Sequence, residues 1–366
     1  MQIGCTQKLL AYLKREPEAV EEGMDAFYSW SATLLTIRRR KTIAVVHDAS
    51  RCGFVLYGVT AKQLKQMDQL LIEGIRRMLE AEGVVPEVLG EYLQSCGSTV
   101  RYTKTRNRSA VAHLNRFVQR VEQLADGFLN ESLFQPQILL LLNSDIFSAG
   151  KEYAFTRELL RDGFAAHYPN RTVFLCPMVT LDVRLHLHSP CYRRIRVPLR
   201  QSLSDFHQTL QILFGWKDYH LHSFELEPDL PLDITMPEYA SLACMDDWGM
   251  CDTEPMERWI LLSEVLEHHP HFWYIYDMGD RWEHEITLVS QENMTAFSGP
   301  QCILALGDAP PEDVGGPDGF AELQELLQHP EDPEYLAAKQ WLEGTGWKPL
   351  DMEQLQNTLN WRSNLR

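Results

Sequence analysis

The 366-residue chain lacks most features that assign a protein to a familiar class. No apolar run approaches the roughly 18 residues of a membrane helix, and Ile138-Leu139-Leu140-Leu141-Leu142 is only strand-sized. The start, Met1-Gln2-Ile3-Gly4-Cys5-Thr6, has neither the basic nor the apolar region of a secretory leader, so a cytoplasmic, membrane-free protein is expected. Eight cysteines are scattered without one Cys-x-x-Cys pair. That spacing argues against a disulfide framework or thiolate zinc site and for reduced thiols. There is no Walker loop, dinucleotide-binding glycine motif, Gly-x-Ser-x-Gly elbow or zinc-protease helix, and no repeat or low-complexity tract.

What is present is an ordinary globular composition, 45% hydrophobic and 23% charged, over a length that suits two domains. The net charge of −17 is unevenly spread. Residues 1–140 carry 18 Lys/Arg against 15 Asp/Glu, or +3, and residues 141–366 carry 16 against 36, or −20. Phosphate contacts need surplus cations, so only the first part could meet nucleic acid.

Hydrophobic periodicity predicts an α+β protein of two domains. The first has a short helix at 7–15, then an antiparallel meander of strands at 29–37, 42–46 and 53–59. Two helices follow, one carrying Leu64, Met67, Leu71, Ile75 and Met78 and closed by Gly83, the other capped by Ser109 and carrying Leu114, Phe117 and Val121. Ile138–Leu142 is expected as a buried strand and 153–164 as a helix. The second domain is expected to be mixed α+β with an antiparallel sheet. Its first strand alternates Val179, Leu181, Val183, Leu185 and Leu187 with polar residues, and 192–197 is its partner. A helix capped by Ser204 and ended by Gly215, a strand at 220–226, a polar insertion at 228–255, a helix at 257–267 and a hairpin of 273–276 with 282–289 follow. Helices at 319–328 and 333–343 close it, the last stopped by Gly344. The expected division is 1–130, a connecting region 131–177, a domain 178–350 and a tail 351–366.

Two carboxylates, Asp277 and Asp280, flank the hairpin turn, and His284 follows on the apolar face of the next strand. They suit metal ligation or acid/base work, or a capped turn over a satisfied core histidine. His220 and His222 alternate on one predicted strand, and His207 lies on the helix before it. Glu312 and Asp313 sit in the turn Pro310-Pro311-Glu312-Asp313-Val314-Gly315-Gly316, aimed at a cation or at helix capping. In the first domain Arg38, Arg39, Arg40 and Lys41 form one basic cluster, and Arg101, Lys104, Arg106 and Arg108 another. If the second opens the Ser109 helix, it could hold a phosphate; the plainer reading is solvated loop charge.

The second domain resembles the plasmid pRiA-type ORF-three-like family, also described as passenger TnpR-like proteins of insertion elements. The resemblance rests on Ser189–Ile195, Asp205–Leu210, Gly215-Trp216-Lys217-Asp218-Tyr219-His220-Leu221-His222-Ser223-Phe224, Tyr276–His284 and Pro310–Gly316, in that order. Tyr192 stands where the family usually has Trp. The first domain is similar to a small bacterial domain of unknown function through Cys5–Leu10, Arg38–Lys41 and Tyr102–Ser109. The resemblance implies compact α+β domains and carries no established activity or cofactor. Its motif positions His207, His220, Asp277, Asp280, His284, Glu312 and Asp313 are more polar than packing needs, which implies a shared polar pocket.

The expectation is a binding or accessory protein of plasmid or mobile-element type, its pocket holding a divalent metal through His220, Asp280 and His284. The rivals are a metal-dependent hydrolase or phosphoryl-transfer enzyme and a nucleic-acid-binding regulator using the basic clusters. A protein or small-molecule partner is expected, of a kind the residues do not name.

Overall fold

A computed structural model describes all residues except 22, 98, 150–151, 227–256, 296–298 and 364–366, and the expected insertion at 228–255 lies outside the described residues. The chain divides into two compact units, Met1–Leu175 and Cys176–Arg366.

The first unit contains β1 (Gln2–Cys5), α1 (Gln7–Leu13), β2 (Ser29–Ile37), β3 (Arg40–His47), β4 (Gly53–Leu56), α2 (Ala61–Leu64), α3 (Met67–Ala81), α4 (Pro86–Cys96), β5 (Arg101–Lys104), α5 (Arg108–Gln123), α6 (Pro136–Leu142), β6 (Ile146–Ala149), β7 (Glu152–Phe155) and α7 (Thr156–His167). The predicted meander is present as β2–β3–β4, but the sheet order is β4-β3-β2-β1-β5, and β1 runs parallel to both β2 and β5. Four-residue strands such as β1 and β5 are too short to show alternation, so periodicity missed them. Neighbouring residues of β4 face opposite ways. Phe54 meets Gly74 of α3, whereas a side chain at Gly53 would meet Phe117 of α5, so helices cover both faces. Ile3, Trp30, Val45, Phe54, Ile75, Met78 and Tyr92 share one core.

Ile138–Leu142, expected as a strand, is helix α6. Pro136 takes its first turn, where no N–H is needed, and Ile138, Leu139 and Leu142 are buried at helical spacing. A five-residue apolar run fits a buried strand or a buried helix equally well. The cap of α5 is Asn107 rather than Ser109, its side chain accepting the Ala110 N–H at 2.8 Å. The region 131–177, expected as a connection, contains α6, β6, β7 and α7, and Leu139, Leu160 and Phe164 join the first core.

The second unit contains β8 (Cys176–Leu185), β9 (Cys191–Pro198), α8 (Leu203–Phe214), β10 (His222–Glu225), α9 (Leu262–His268), β11 (His271–Tyr276), β12 (Trp282–Met294), β13 (Gln301–Leu306), α10 (Gly316–Leu326), α11 (Tyr335–Thr345) and α12 (Met352–Ser363). Its sheet runs β10-β11-β12-β8-β9-β13, every neighbouring pair antiparallel, as expected. Strict alternation along β9 turns Arg193, Ile195 and Val197 inward, and α8 packs Phe206, Leu210, Leu213 and Phe214 into the same core. The cap of α8 is Ser202 rather than Ser204, and α11 ends at Gly346 rather than Gly344. Residues expected as a tail form α12, which places Leu355 and Leu359 in the core. Cys5, Cys52, Cys96, Cys191 and Cys302 are buried thiols. Among the described residues no helix is long and apolar enough to cross a membrane.

Candidate functional site

Three loops of the second unit meet at one end of its sheet. The first follows α8, where Gly215 adopts the left-handed conformation (φ 72°) that ends the helix. Trp216 then turns inward, stacks on Tyr276 at 4.8 Å and donates its indole N–H to the Pro310 carbonyl at 3.0 Å. The Lys217 N–H donates to Glu312 Oε1 at 2.8 Å, and the Tyr219 N–H to the Tyr276 hydroxyl at 3.0 Å. These bonds deliver His220.

The second loop is the β11–β12 turn. Asp277 is left-handed (φ 60°), and its Oδ1 accepts the N–H groups of Gly279 (2.8 Å) and Asp280 (3.3 Å). An aspartate caps its own turn in this way, which tolerates the positive φ. Its other oxygen, Oδ2, remains for His220.

The third is the Pro310–Gly316 loop. Gly315 and Gly316 have φ of 91° and 73°, and a Cβ on Gly316 would lie 3.1 Å from the Asp280 carbonyl oxygen. The glycines therefore allow both the backbone shape and the close approach. The approach is locked by the Gly315 N–H donating to Asp280 Oδ2 at 3.1 Å.

The result surrounds one nitrogen with three carboxylates. His220 Nε2 lies 3.2 Å from Asp313 Oδ1, 3.6 Å from Asp277 Oδ2 and 3.7 Å from Glu312 Oε2. The nitrogen is shielded from solvent and makes no well-aligned hydrogen bond. Ligand atoms of His220, Asp277 and Asp313 all fall within 4.8 Å of one another. Donors bound about 2.0–2.2 Å from one ion lie roughly 3.0–3.5 Å apart, so little movement would let this set close on a cation. Asp277 and Glu312 are only 7% and 8% exposed. Burial raises the Glu312 carboxyl above the usual range, although the Lys217 N–H and the Tyr276 hydroxyl stabilise its charged form.

The structure thus brings together His220, Asp277, Glu312 and Asp313, and leaves three other predicted residues outside this set. Asp280 positions the glycine loop. His284 is wholly buried, its Nδ1 3.0 Å from the carbonyl oxygens of Tyr274 and Trp282 and its ring edge-on to Phe214 and Trp216. Burial pushes it down to about 3, so it is a neutral core histidine, and the expected trio of His220, Asp280 and His284 does not assemble. His207 belongs to another cluster, with Asp218, His222 and Tyr274. The His220/His222 alternation failed because β10 begins only at His222, and His220 lies on the preceding loop, free of the strand's period of two. Tyr276, Trp216 and Lys217 were not singled out, though all lie within the quoted motifs.

The basic residues of the first unit are also spread apart. Arg38 donates to the carbonyls of Asp126 and Phe128, Arg40 to that of Asn130, and Arg106 to that of Met24. Arg101 pairs with Glu18 and Glu21. Arg39, Lys41, Lys104 and Arg108 are exposed. Through β1, Lys104 is level with Ala32, whereas the Arg38-Arg39 turn lies six residues further along β2, about 20 Å at 3.3 Å per residue. The two clusters form no single patch, and the mouth of α5 is closed by its own Asn107 cap.

Residues 2–159 match the domain of unknown function DUF6933, and residues 177–356 match the family described as plasmid pRiA4b ORF-3-like protein. The chain is similar to the uncharacterized protein y4hQ of Sinorhizobium fredii, 34% identical over 164 residues that make up 44% of this chain and 77% of that protein. It also resembles the protein of unknown function MM3350 from Methanosarcina mazei Go1, at 28% identity and a TM-score of 0.40, covering 49% of this chain and 97% of that one. With residues 177–356 of its second unit matched, the chain belongs to the plasmid pRiA4b ORF-3-like family, carrying the DUF6933 domain ahead of that unit.

Proposed function

We propose that the chain is a binding or accessory protein whose second unit holds a divalent cation through His220, Asp277 and Asp313, with Glu312 beside it. The observation that carries this reading is the shielded, unbonded His220 Nε2 facing three carboxylate groups from two other loops. Three carboxylates crowded together repel one another unless a cation or proton intervenes, and one imidazole offers at most a single charge. One nitrogen with carboxylate oxygens suits manganese, ferrous iron or zinc.

The metal-dependent hydrolase reading draws its support from Glu312. Glu312 is a buried carboxyl beside this set and would be the group placed to accept a proton from an attacking water if an ion were held there. Isothermal titration of the chelator-stripped full chain with Mn²⁺ tests the ion reading. The parent is expected to bind, and Asp277→Asn or Asp313→Asn to weaken binding at least tenfold while circular dichroism stays unchanged. Mn²⁺ binding that neither variant weakens, or no binding at all, would sink the proposal. Cleavage of a generic phosphodiester by the loaded parent, lost in Glu312→Gln with the ion still bound, would favour the enzyme.

A further inference from the structure

A second group of ligand-type side chains lies apart from the His220 set. His207 of α8 and His222 of β10 are 2% and 4% exposed. Their rings stack at 3.6 Å and 7°. Each imidazole presents Nε2 to a carboxylate: His207 to Asp218 Oδ1 at 2.9 Å and His222 to Glu257 Oε2 at 2.7 Å. Ligand atoms of His207, Asp218 and His222 lie within 4.8 Å of one another.

The surroundings fix the state of His207. Gln211 Nε2 donates to the Tyr274 hydroxyl oxygen at 3.0 Å, and Gln211 Oε1 accepts the Asp218 N–H at 2.9 Å. Tyr274 therefore has its proton free for His207 Nδ1 at 2.8 Å, which leaves the ring hydrogen on Nε2, aimed at Asp218. A metal-ligating histidine carries its hydrogen on the far nitrogen, so holding an ion at Nε2 needs the other tautomer of His207, with the Tyr274 hydroxyl oxygen accepting from Nδ1.

We infer that His207, Asp218 and His222, with Glu257 beside them, form a second cation site, selective for a nitrogen-preferring ion such as Zn²⁺ or Co²⁺. On binding, the ring hydrogen passes from Nε2 to Nδ1, where at His207 the Tyr274 hydroxyl turns to accept it, so the ion meets neutral imidazoles and no proton leaves. Two nitrogens with carboxylate oxygen differ from the one-nitrogen, oxygen-rich His220 set, so the sites differ in preference. Ring planes 7° apart cannot both contain one ion, so binding tilts the imidazoles out of their stack.

The test uses the full chain, untagged and stripped by chelator, titrated with Zn²⁺ alone and then with Co²⁺ for its visible absorption. Asp218→Asn is the main variant, because asparagine keeps an oxygen to accept the His207 N–H and residue 218 is partly exposed. Asp313→Asn is the control for the other site. The parent is expected to take up two equivalents of Zn²⁺ and each variant one. The Co²⁺ band that is more intense, from the site of lower coordination, is expected to vanish in Asp218→Asn and persist in Asp313→Asn. A single equivalent removed by Asp313→Asn overturns this inference and leaves the His220 reading standing. A single equivalent removed by Asp218→Asn supports the inference and overturns that reading for zinc. Uptake untouched by Asp218→Asn, or no uptake, overturns it.

Discussion

Two histidines of the pRiA4b ORF-3-like unit, only a short stretch of structure apart, show how surroundings decide what one side chain can do. His220 faces carboxylates and keeps a nitrogen available, while His284 is enclosed by aromatic rings and backbone carbonyls. For His284 the enclosure has a measurable consequence. Its folded pKa of about 3 lies below the ordinary value of 6.5, so between those limits the unfolded chain binds a proton that the folded chain does not. The associated stability is full above about pH 6.5 and is lost as pH falls, at up to about 1.4 kcal/mol per pH unit. His47, held down to about 4 by burial in the first unit, acts in the same direction. Urea unfolding of the second unit between pH 7 and pH 5 should therefore be less pH-dependent in His284→Leu than in the parent. Equal slopes would contradict the buried neutral state.

At the scale of elements, no helix or strand supplies the His220 site; the loops between them do, each held by bonds to another. Asp280 accepts the Gly315 N–H, Glu312 accepts the Lys217 N–H, and Tyr276 bonds both Glu312 and the 219–220 backbone. Gly316 is the tightest point, with φ 73° and the Asp280 oxygen 3.1 Å from where a Cβ would stand. Gly316→Ala should cost about 1–2 kcal/mol in urea unfolding from the left-handed backbone alone. It should also weaken cation binding, because it pushes Asp313 away from His220. Unchanged binding and stability would show that the loop is not held as described. Buried Arg193 is a comparable fastening outside the site, donating to the carbonyls of Leu213, Tyr192, Leu306 and Gly307 and so joining α8, β9 and the end of β13.

For the whole molecule, the division into Met1–Leu175 and Cys176–Arg366 gives each unit its own sheet and its own apolar core. A core of this size, with ladders closed within each unit, is enough for independent folding. Residues 176–366 expressed alone should melt cooperatively and retain the His220 cation affinity of the full chain. A non-cooperative melt would mean that the first unit is needed for the second to fold. The charge contrast, +3 over residues 1–140 against −20 over residues 141–366, places the proposed cation sites on the strongly acidic part. Such a field raises the local concentration of cations and should make ion binding weaken as salt rises.

Local rules were enough to read much of this protein. The alternation of 179–185, the helix ended by Gly215, the β2–β3–β4 meander and the turn between Tyr276 and Trp282 were all legible, because period and turn chemistry act within a few residues. The polar motif residues were grouped by their resemblance to the family's motifs, which period and turn chemistry do not supply. Tertiary structure alone decided which of them meet. It sent His284 into the core, set Asp280 to hold a loop, separated His220 from His222 and paired His222 with Glu257, 35 residues away in sequence. It also turned Ile138–Leu142 into a helix and made the last residues part of a core. A short apolar run or a lone histidine has no preference strong enough to settle its surroundings, so long-range packing settles them instead.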